Sequence, residues 1–383
     1  MKKILFAIML SLAALSVSAQ KEVNQYNPKS LYEKGILFYE NKHYASAIDC
    51  FEQYISSVDG KKQEDVVMAK YYEAASTLFL DETDGENKIT TFIKENPTAL
   101  VADQAKLLYG NYLFKTRKYR DALKTYSSIN SSNLSKEEQD ESDFKQAYCY
   151  YQTQNVAQAT PIFERLAKSE HAYTNDARYY YAHILYINGQ EDEALEYFNM
   201  LKEGSSYSDI ANIYILQINF NKNNYANVIE NGDDVLQKAH KNRKSDIALM
   251  IAESWQQEGN YSKSLEYYNV AMQNSRRKLP REIEFNIGFC KMKNEDYQGA
   301  IEHFTKAADK NDELAQYASY YMAQCYSNTD QDKFARNTYL KAYKMNFNDT
   351  LKENALYNYA VLSFIPGIDS LKGSMPGMKL STA

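Results

Sequence analysis

Histidine and cysteine are the side chains of this chain best suited to bind a metal or act as a nucleophile, and both are rare. The five histidines never stand at the i, i+4 spacing that would bring two ligands together on one helix face. The sequence also lacks a Gly-x-Ser-x-Gly elbow, a glycine-rich phosphate loop and a His-Glu-x-x-His motif. We therefore predict a protein that is not an enzyme, with no catalytic residue, metal or cofactor.

An acidic stretch at residues 81–86 has the composition of a calcium loop but the wrong register. Placing Gly85 at the sixth position, where a calcium-binding loop needs its glycine, puts Leu80 at the first ligand position. Leucine offers no side-chain oxygen to a cation. The stretch is therefore predicted to be a solvated turn between helices.

Tyrosine is the abundant functional side chain, with 35 Tyr beside 16 Phe and one Trp in 383 residues. Only 13 Gly and 6 Pro interrupt the chain, which predicts an all-helical fold. The 44 basic and 50 acidic residues give a net charge of -6, and no long basic block marks a nucleic-acid partner. The densest cationic run, residues 276–278, is predicted to be a solvated helix end.

A repeat of 34 to 40 residues runs through the chain and marks pairs of helices. Each repeat has a small residue in its first helix, and most have a second small residue twelve positions later and an aromatic residue four positions after that. A small residue lets two helix backbones approach closely, and the ring fills the groove between them. The first-helix positions are Gly35, Ala75, Gly110, Ala147, Ala182, Leu216, Ala252, Gly288, Ala323 and Ala360.

This pattern resembles the tetratricopeptide repeat family, whose repeat of about 34 residues has a small residue in helix A and Ala-x-x-x-Phe in helix B. The resemblance covers roughly residues 28–364 and implies an all-α, right-handed superhelical solenoid. About nine repeats span residues 28–348, residues 349–364 form helix A of a partial tenth, and residues 365–383 form an irregular tail. Repeats 2 and 6 depart from the pattern, at Asn87 and Thr91 and at Leu216 and Gly232; we favour tolerated drift over a local bend.

The first 19 residues are predicted to be a signal peptide, followed by a mature lead at 20–27. Lys2 and Lys3 precede an apolar run to Val17, and Ala19 ends the cleavage motif. The run is too short to span a bilayer, and no cysteine at the cut could carry a lipid. We expect an exported protein, periplasmic or peripherally associated with the outer membrane of a Gram-negative bacterium, without a transmembrane span or lipid anchor.

The four cysteines, Cys50, Cys149, Cys290 and Cys325, are predicted to be buried and unpaired, although export would permit disulfides. Equivalent helices of neighbouring repeats stand about 8 to 10 Å apart, whereas a disulfide needs Cα atoms within about 7 Å. We therefore expect the thiols to serve as small apolar side chains.

The family resemblance also implies a ligand groove, because in such arrays helix A lines the concave face. Ligand contacts there cluster three residues before, one after and four after the small residue. The same side chains could instead pack between successive A helices, and both interpretations remain open at this point. Of the family's carboxylate-binding Lys and Asn residues only Asn111 is matched. The candidate groove residues are Tyr32, Tyr39, Tyr72, Phe79, Phe114, Phe144, Tyr148, Tyr151, Tyr179, His183, Tyr186 and Phe220.

Two functional hypotheses follow from the resemblance, with an enzyme as a third that no motif supports. The first is a protein-interaction scaffold of the cell envelope that binds an extended polypeptide, in secretion or outer-membrane assembly. The alternative is a glycan-binding protein that resembles outer-membrane nutrient binders containing such repeats, although their lipid-bearing cysteine and long insertions are missing. Apolar residues on the partial tenth repeat, among them Leu356 and Phe364, predict self-association or a truncated longer protein.

Overall fold

The computed structural model of the chain describes residues 28–58, 64–80 and 84–364. The described residues form nineteen α-helices and one short 3₁₀ turn, with no strand among them. The predicted signal peptide, the mature lead and the irregular tail lie outside the described residues. The all-helical prediction is confirmed.

Helices of type A and type B alternate along the chain, the odd-numbered helices being type A. The chain divides into two compact units, residues 1–190 and 191–383, which are described separately. The first unit contains α1 (Pro28–Glu40), α2 (Tyr44–Ser57), α3 (Glu64–Phe79), α4 (Gly85–Glu95), α5 (Ala102–Lys115), α6 (Tyr119–Ser127), the 3₁₀ turn (Ser131–Asn133), α7 (Lys136–Gln152), α8 (Val156–Ala167) and α9 (Thr174–Ile187). The second contains α10 (Glu191–Leu201), α11 (Ser208–Asn221), α12 (Tyr225–Lys238), α13 (Lys244–Gln257), α14 (Tyr261–Asn274), α15 (Arg281–Lys293), α16 (Tyr297–Ala307), α17 (Glu313–Asn328), α18 (Asp332–Lys344) and α19 (Asp349–Phe364).

The small residue of helix A faces the aromatic ring of helix B, as the repeat pattern predicts. A Cβ added at Gly110 would lie 2.7 Å from Cε1 of Tyr126, and one added at Gly35 would lie 2.7 Å from Cε1 of Phe51. Both rings are buried. Because carbon atoms need more than 3 Å, these two repeats pack their helices closer than a β-carbon allows.

The turn from helix A to helix B has one recurring backbone conformation. In the first repeat the N–H of His43 donates to the carbonyl of Phe38 at 2.8 Å, and the N–H of Lys42 donates to that of Tyr39 at 2.9 Å. These two bonds form the Schellman motif that ends a helix. The motif requires a left-handed backbone conformation at the residue just after the helix, which here is Lys42. That residue lies seven positions after the small residue in eight repeats: Lys42, Arg117, Gln154, Gly189, Asn223, Gly259, Glu295 and Asp330.

Successive A helices contact one another within each unit. In the first unit α1 packs on α3, α3 on α5, and α5 on α7. In the second, α11 packs on α13, α15 on α17, and α17 on α19. The A helices of each unit therefore bring residues of neighbouring repeats together on one layer, which is where the candidate groove residues lie.

The first turn of helix A is fastened to the end of helix B in several repeats. Asp103 accepts a hydrogen bond from the backbone N–H of Asn130 at 3.2 Å. The hydroxyl of Ser245 donates to the carbonyl of Ala271 at 3.1 Å. Arg281 and Gln316 occupy the same place, seven residues before the small residue, and also bond to the end of their own helix B. A helix leaves its last carbonyls without internal partners, and Ser245, Arg281 and Gln316 satisfy some of them as donors, whereas Asp103 accepts from an N–H group just beyond its helix B.

Repeat 6 compensates for its departure from the pattern with a residue of the next repeat. Gly232 stands where other B helices carry an aromatic ring, and a Cβ there would lie 2.6 Å from Cγ1 of Ile251. Leu216, which replaces the small residue of helix A, belongs to the same buried cluster as Ile251 and Val228. Apolar volume is therefore redistributed rather than lost, which agrees with drift.

Repeat 2 keeps close helix contact by a different residue. A Cβ at Gly85 would lie 2.8 Å from the Cα of Leu78, so α4 begins directly against the backbone of α3. Lys88 then reaches Glu73 on α3, with 2.7 Å between ammonium and carboxylate. The buried space of the usual ring is filled by Ile89 and Phe92 of α4, which form one cluster with Ala74 and Leu78 of α3.

All four cysteines are free and buried, as predicted. None of the described helices is both long enough and apolar enough to cross a membrane.

The last helix, α19, buries only part of its apolar surface. Leu351 and Ala355 are buried, whereas Leu356, Tyr357 and Phe364 are exposed. Self-association through this helix stays a prediction, which light scattering on the full chain would measure.

Candidate ligand-binding surface

Four of the candidate residues come together in one group near the start of the first unit. The ring of Tyr39 lies 4.9 Å from that of Tyr72 and 6.2 Å from that of Phe79, centre to centre. Tyr32 reaches the same group through Phe51, whose ring stacks on Tyr72 at 5.5 Å. Phe79 is 46% exposed and gives the group its open end. We call Tyr32, Tyr39, Tyr44, Tyr72 and Phe79 the N-terminal aromatic patch.

A second group joins α5, α7 and α9. Phe114 lies 5.1 Å from Tyr148, which makes an edge contact with Tyr180 at 5.2 Å. Tyr151, which is also on α7, contacts Tyr180 at 5.4 Å, so two residues of α7 pack on the same ring of α9. We call Phe114, Tyr119, Tyr148, Tyr151, Tyr179, Tyr180 and His183 the central aromatic patch.

Both patches contain tyrosines that the three helix A offsets miss. Tyr44 starts α2 and stacks on Phe79 at 4.9 Å, and Tyr119 starts α6 and lies 5.8 Å from Tyr148. Each therefore links helix A of its own repeat to helix A of the next. The sequence carries a signal for them, because a tyrosine stands nine positions after the small residue in five repeats, at Tyr44, Tyr119, Tyr225, Tyr261 and Tyr297. This recurring tyrosine could have been assigned to the surface.

The remaining candidate residues differ in position. Phe144 is only 7% exposed and stacks on Tyr173 at 5.0 Å, so it offers little surface to a ligand. Tyr186 is half-buried on α9. Phe220 lies in the second unit, where it contacts Tyr225 at 6.0 Å. The first unit thus holds eleven of the twelve candidate residues.

The aromatic side chains have a mixed role. Their contacts within and between A helices show that they pack successive repeats together, yet most are only partly buried. A half-buried tyrosine keeps one polar edge in water and an apolar face that a partner can cover. Burial raises the pKa of Tyr39 to about 12 and also raises that of Tyr151, so both hydroxyls stay protonated and able to donate.

One hydrogen bond orders the centre of the central aromatic patch. The hydroxyl of Tyr151 lies 3.0 Å from Nδ1 of His183. Burial lowers the pKa of His183 below its ordinary value, because the imidazolium loses hydration in this position. The neutral imidazole can accept a hydrogen bond from the hydroxyl of Tyr151, whereas the protonated imidazolium can only donate one.

Acidification should therefore destabilise the first unit through His183. The pKa of His183 lies below 6.5 in the folded chain and near 6.5 in the unfolded chain, so between these values the unfolded chain binds more protons. Stability from this group is present above pH 6.5 and falls as the pH drops towards the folded pKa. Melting temperatures from pH 7.5 to pH 5 should fall less steeply in His183→Gln than in the wild type. His240→Gln, an exposed control, should keep the wild-type slope, and identical slopes for all three proteins would contradict the assignment.

Asn111 matches a carboxylate-binding position of the family, but its side chain already forms hydrogen bonds to other residues of this chain. Its carbonyl oxygen accepts from Tyr126 at 2.9 Å and from Lys145 at 3.0 Å. Its amide donates to Glu141 at 3.1 Å, and Glu141 also pairs with Lys145 at 2.6 Å. Because the ammonium of Lys145 is neutralised by an adjacent carboxylate, this network is poorly suited to bind a further anion.

In the second unit α13, α15 and α17 lack an aromatic residue four positions after the small residue, but rings remain at the other offsets, where Phe285 and Phe289 of α15 lie 5.9 and 5.5 Å from Tyr321. At the position four after the small residue, Gln256 accepts from the hydroxyl of Tyr268 at 2.9 Å, and Met292 follows in the next repeat. Burial raises the pKa of the Glu253 carboxyl on the same helix as Gln256. No group of three or more metal-ligating side chains lies within residues 28–58, 64–80 and 84–364.

Comparison with known proteins agrees with the helix pairs. Residues 144–209 match the model of the tetratricopeptide repeat family. No curated protein matches the sequence significantly. Similar solved structures include a tetratricopeptide repeat protein from Parabacteroides merdae ATCC 43184, with 15% identity, a TM-score of 0.31 and coverage of 76% of this chain and 99% of that one. Yeast Tom70 is another, with 12% identity, a TM-score of 0.37 and coverage of 91% and 99%.

Residues 144–209 match the family model, and helix pairs of the same type repeat through the described residues, so the structure is that of a tetratricopeptide-type repeat protein. Repeats of this type indicate a protein–protein interaction scaffold.

Proposed function

We propose that the first unit binds an extended polypeptide segment of an envelope protein across its N-terminal and central aromatic patches. The observation that carries this proposal is the concentration of half-buried rings on one layer of A helices. Phe79 and Tyr44 stack and are not fully buried, and the rings of Tyr151 and Tyr179 lie 6.0 and 6.3 Å from that of His183. Aromatic side chains of this kind are the residues that gain most when a partner excludes water from them.

A polypeptide with apolar anchors fits these patches better than a charged chain terminus. The patches combine apolar ring faces with tyrosine hydroxyls, which can bond to the main chain of an extended segment. The ammonium of Lys145 lies over the ring of Phe114, 5.6 Å from its centre, and its charge is already paired with Glu141. Binding should therefore depend on ring contacts and only weakly on ionic strength.

The envelope location in this proposal rests on the predicted signal peptide. Its basic start, apolar run and small-residue cut are features of the sequence at residues 1–19. Fractionation of cells into cytoplasm, periplasm and membranes would test it, with N-terminal sequencing of the mature chain to show a start at Gln20. A role in secretion or outer-membrane assembly would follow from the identity of the partner.

The partner can be captured with a photo-crosslinking amino acid placed at Tyr151, in the central aromatic patch. The same crosslinker at Glu164 on α8 serves as the control, because Glu164 belongs to neither patch. We expect a discrete protein adduct in intact envelopes at Tyr151 and none at Glu164. Equal labelling at both positions would contradict binding at the patches.

The captured partner then allows a quantitative test with Phe79→Ser. Phe79 is at the exposed end of its helix, so the change should leave the fold intact while lowering affinity at least about tenfold, as expected for an interface aromatic residue. Phe334→Ser is the matched control, because Phe334 is also exposed but lies on α18 in the second unit. Isothermal calorimetry would measure both. Equal losses of affinity in the two variants would overturn the proposal. So would the finding that the protein binds oligosaccharides, detected by quenching of tyrosine fluorescence, and no protein partner.

A further inference from the structure

Two consecutive loops in the second unit carry most of their charge as cations. The loop between α12 and α13 and the loop between α14 and α15 each connect a B helix to the next A helix. We call their six cations the basic edge: Lys241, Arg243, Lys244, Arg276, Arg277 and Lys278. Such a concentration is unexpected in a chain with a net charge of -6.

The two loops lie side by side at one edge of the unit. The hydroxyl of Ser245, next to Lys244, donates to the carbonyl of Ala271 near the end of α14. That bond, with 3.1 Å between the two oxygens, joins the first turn of α13 to the residues that precede the second loop. Segments that are distant in the sequence therefore contribute to one surface.

The cations of the basic edge are exposed or half-exposed and make no ion pair with any described residue. Their neighbours behave differently. Arg281 pairs with Asp309 and Asp312, both at 2.6 Å, and Lys238 pairs with Asp234 at 2.7 Å. Within residues 239–246 and 275–282 the only carboxylates are Asp246 and Glu282, so the surface keeps an excess of positive charge.

Local hydrogen bonds hold both loops in shape. The hydroxyl of Ser275 donates to the carbonyl of Arg277 at 2.7 Å, and Nδ1 of His240 lies 2.7 Å from Oδ1 of Asn242. The cations consequently project from ordered loops. The loop between α16 and α17 contains Asp309 and Asp312 and has no excess of positive charge. The basic edge therefore does not extend to this loop.

We propose that the basic edge attaches the protein peripherally to a bilayer that carries anionic lipid headgroups. The six charges stand on the ends of adjacent loops, where a flat, polyanionic surface can approach several of them at once. An acidic peptide is the other class of partner that clusters of arginine bind, and the test below distinguishes it from a bilayer. Each Lys or Arg close to an anionic bilayer strengthens binding by about fivefold at low salt. The basic edge and the aromatic patches lie in different units, so this attachment is independent of the proposed polypeptide binding.

Sedimentation with vesicles tests the proposal. The mature full-length chain would be mixed with vesicles of phosphatidylcholine alone and with vesicles of phosphatidylcholine and phosphatidylglycerol at 7:3. We expect binding to the anionic vesicles only, which weakens as NaCl rises from 0.05 to 0.5 M because salt screens the charges.

A pair of charge-matched variants separates the basic edge from net charge. The first, Arg276→Gln/Arg277→Gln/Lys278→Gln, should lower partitioning on the order of 100-fold. The second, Lys333→Gln/Arg336→Gln/Lys341→Gln, removes three exposed cations of α18 and should bind like the wild type. Circular dichroism melting would verify that both variants fold.

Three results would overturn the inference: equal binding by both variants, no preference for anionic vesicles, or retention on immobilised polyglutamate without binding to vesicles. The last result would assign the basic edge to an acidic polypeptide.

Discussion

Replacing Gln316 by leucine is expected to lower the free energy of unfolding of the second unit by about 3 kcal/mol. Gln316 is fully buried, and its amide donates towards the carbonyls of Ala342, Met345 and Asn348 at 3.0 to 3.3 Å. Its own carbonyl accepts from the backbone N–H groups of Phe347 and Asn348. Leucine fills a similar volume but leaves five backbone groups without this partner. Only the bonds to Ala342 and Met345 are buried, and a buried, unsatisfied group costs about 1 to 3 kcal/mol; water can reach part of the other three groups.

The same substitution should loosen the last helix. The bonded carbonyls and N–H groups all belong to the end of α18 and the connection to α19. Amide hydrogen exchange should accelerate at residues 345–352 before it does in α15 or α16. The side chain of Gln316 bonds to the segment around 345–348, and neither α15 nor α16 is among its hydrogen-bond partners. Urea unfolding would give the loss of stability.

Gln324→Leu is the control on the same helix. Gln324 is half-exposed on α17, and water can replace its contacts. We expect a change within about 0.5 kcal/mol there, as for most surface substitutions. Comparable losses at the two glutamines would mean that the bonds of Gln316 contribute little.

Replacing Phe163 by alanine should cost about 4 kcal/mol in the first unit. Phe163 is fully buried, stacks on Tyr180 at 5.4 Å and lies 5.9 Å from Phe144. Its removal leaves a cavity between α7, α8 and α9, which the surrounding helices can only partly close. Thermal and urea unfolding of the full chain would both detect the loss.

Phe334→Ala makes the same chemical change at a surface position. Phe334 is 60% exposed and stacks only on Tyr326, at 5.5 Å, among the ring contacts of the described residues. The expected loss is about 1 kcal/mol or less. If the two alanine variants unfolded at the same denaturant concentration, the ring of Phe163 would not be the packing centre inferred here.

Much of the fold was predictable because a repeat is decided by local spacing. Gly35 and Phe51 stand sixteen residues apart and meet in the structure, as do Gly110 and Tyr126. Each pair belongs to one helix hairpin, so the pattern of a single repeat contains its packing. The same holds for the turns, whose left-handed residue recurs at one position.

Features that join neighbouring repeats were harder to foresee. In the sequence Gln316 is an ordinary polar residue of a predicted helix. Its five backbone partners are evident only in the packed structure. Tyr44 is one of the tyrosines that recur just after the turn, but its contact with Phe79 spans 35 positions and two repeats. The basic run at 276–278 was assigned to a solvated helix end because the cations at 241–244 are distant in sequence. Nine of the twelve candidate groove residues come together, as two patches rather than as one continuous row, and Phe144, Tyr186 and Phe220 belong to neither patch.

The exchange between Gly232 and Ile251 has a consequence for engineering and for evolution. A consensus design would install an aromatic residue at 232, yet that ring would meet the side chain of Ile251, which already occupies the space. Such a change is tolerable only if Ile251 of the next repeat is first replaced by a smaller residue. Repeats 6 and 7 are therefore coupled by epistasis, and neither can be shuffled, duplicated or replaced as an interchangeable module.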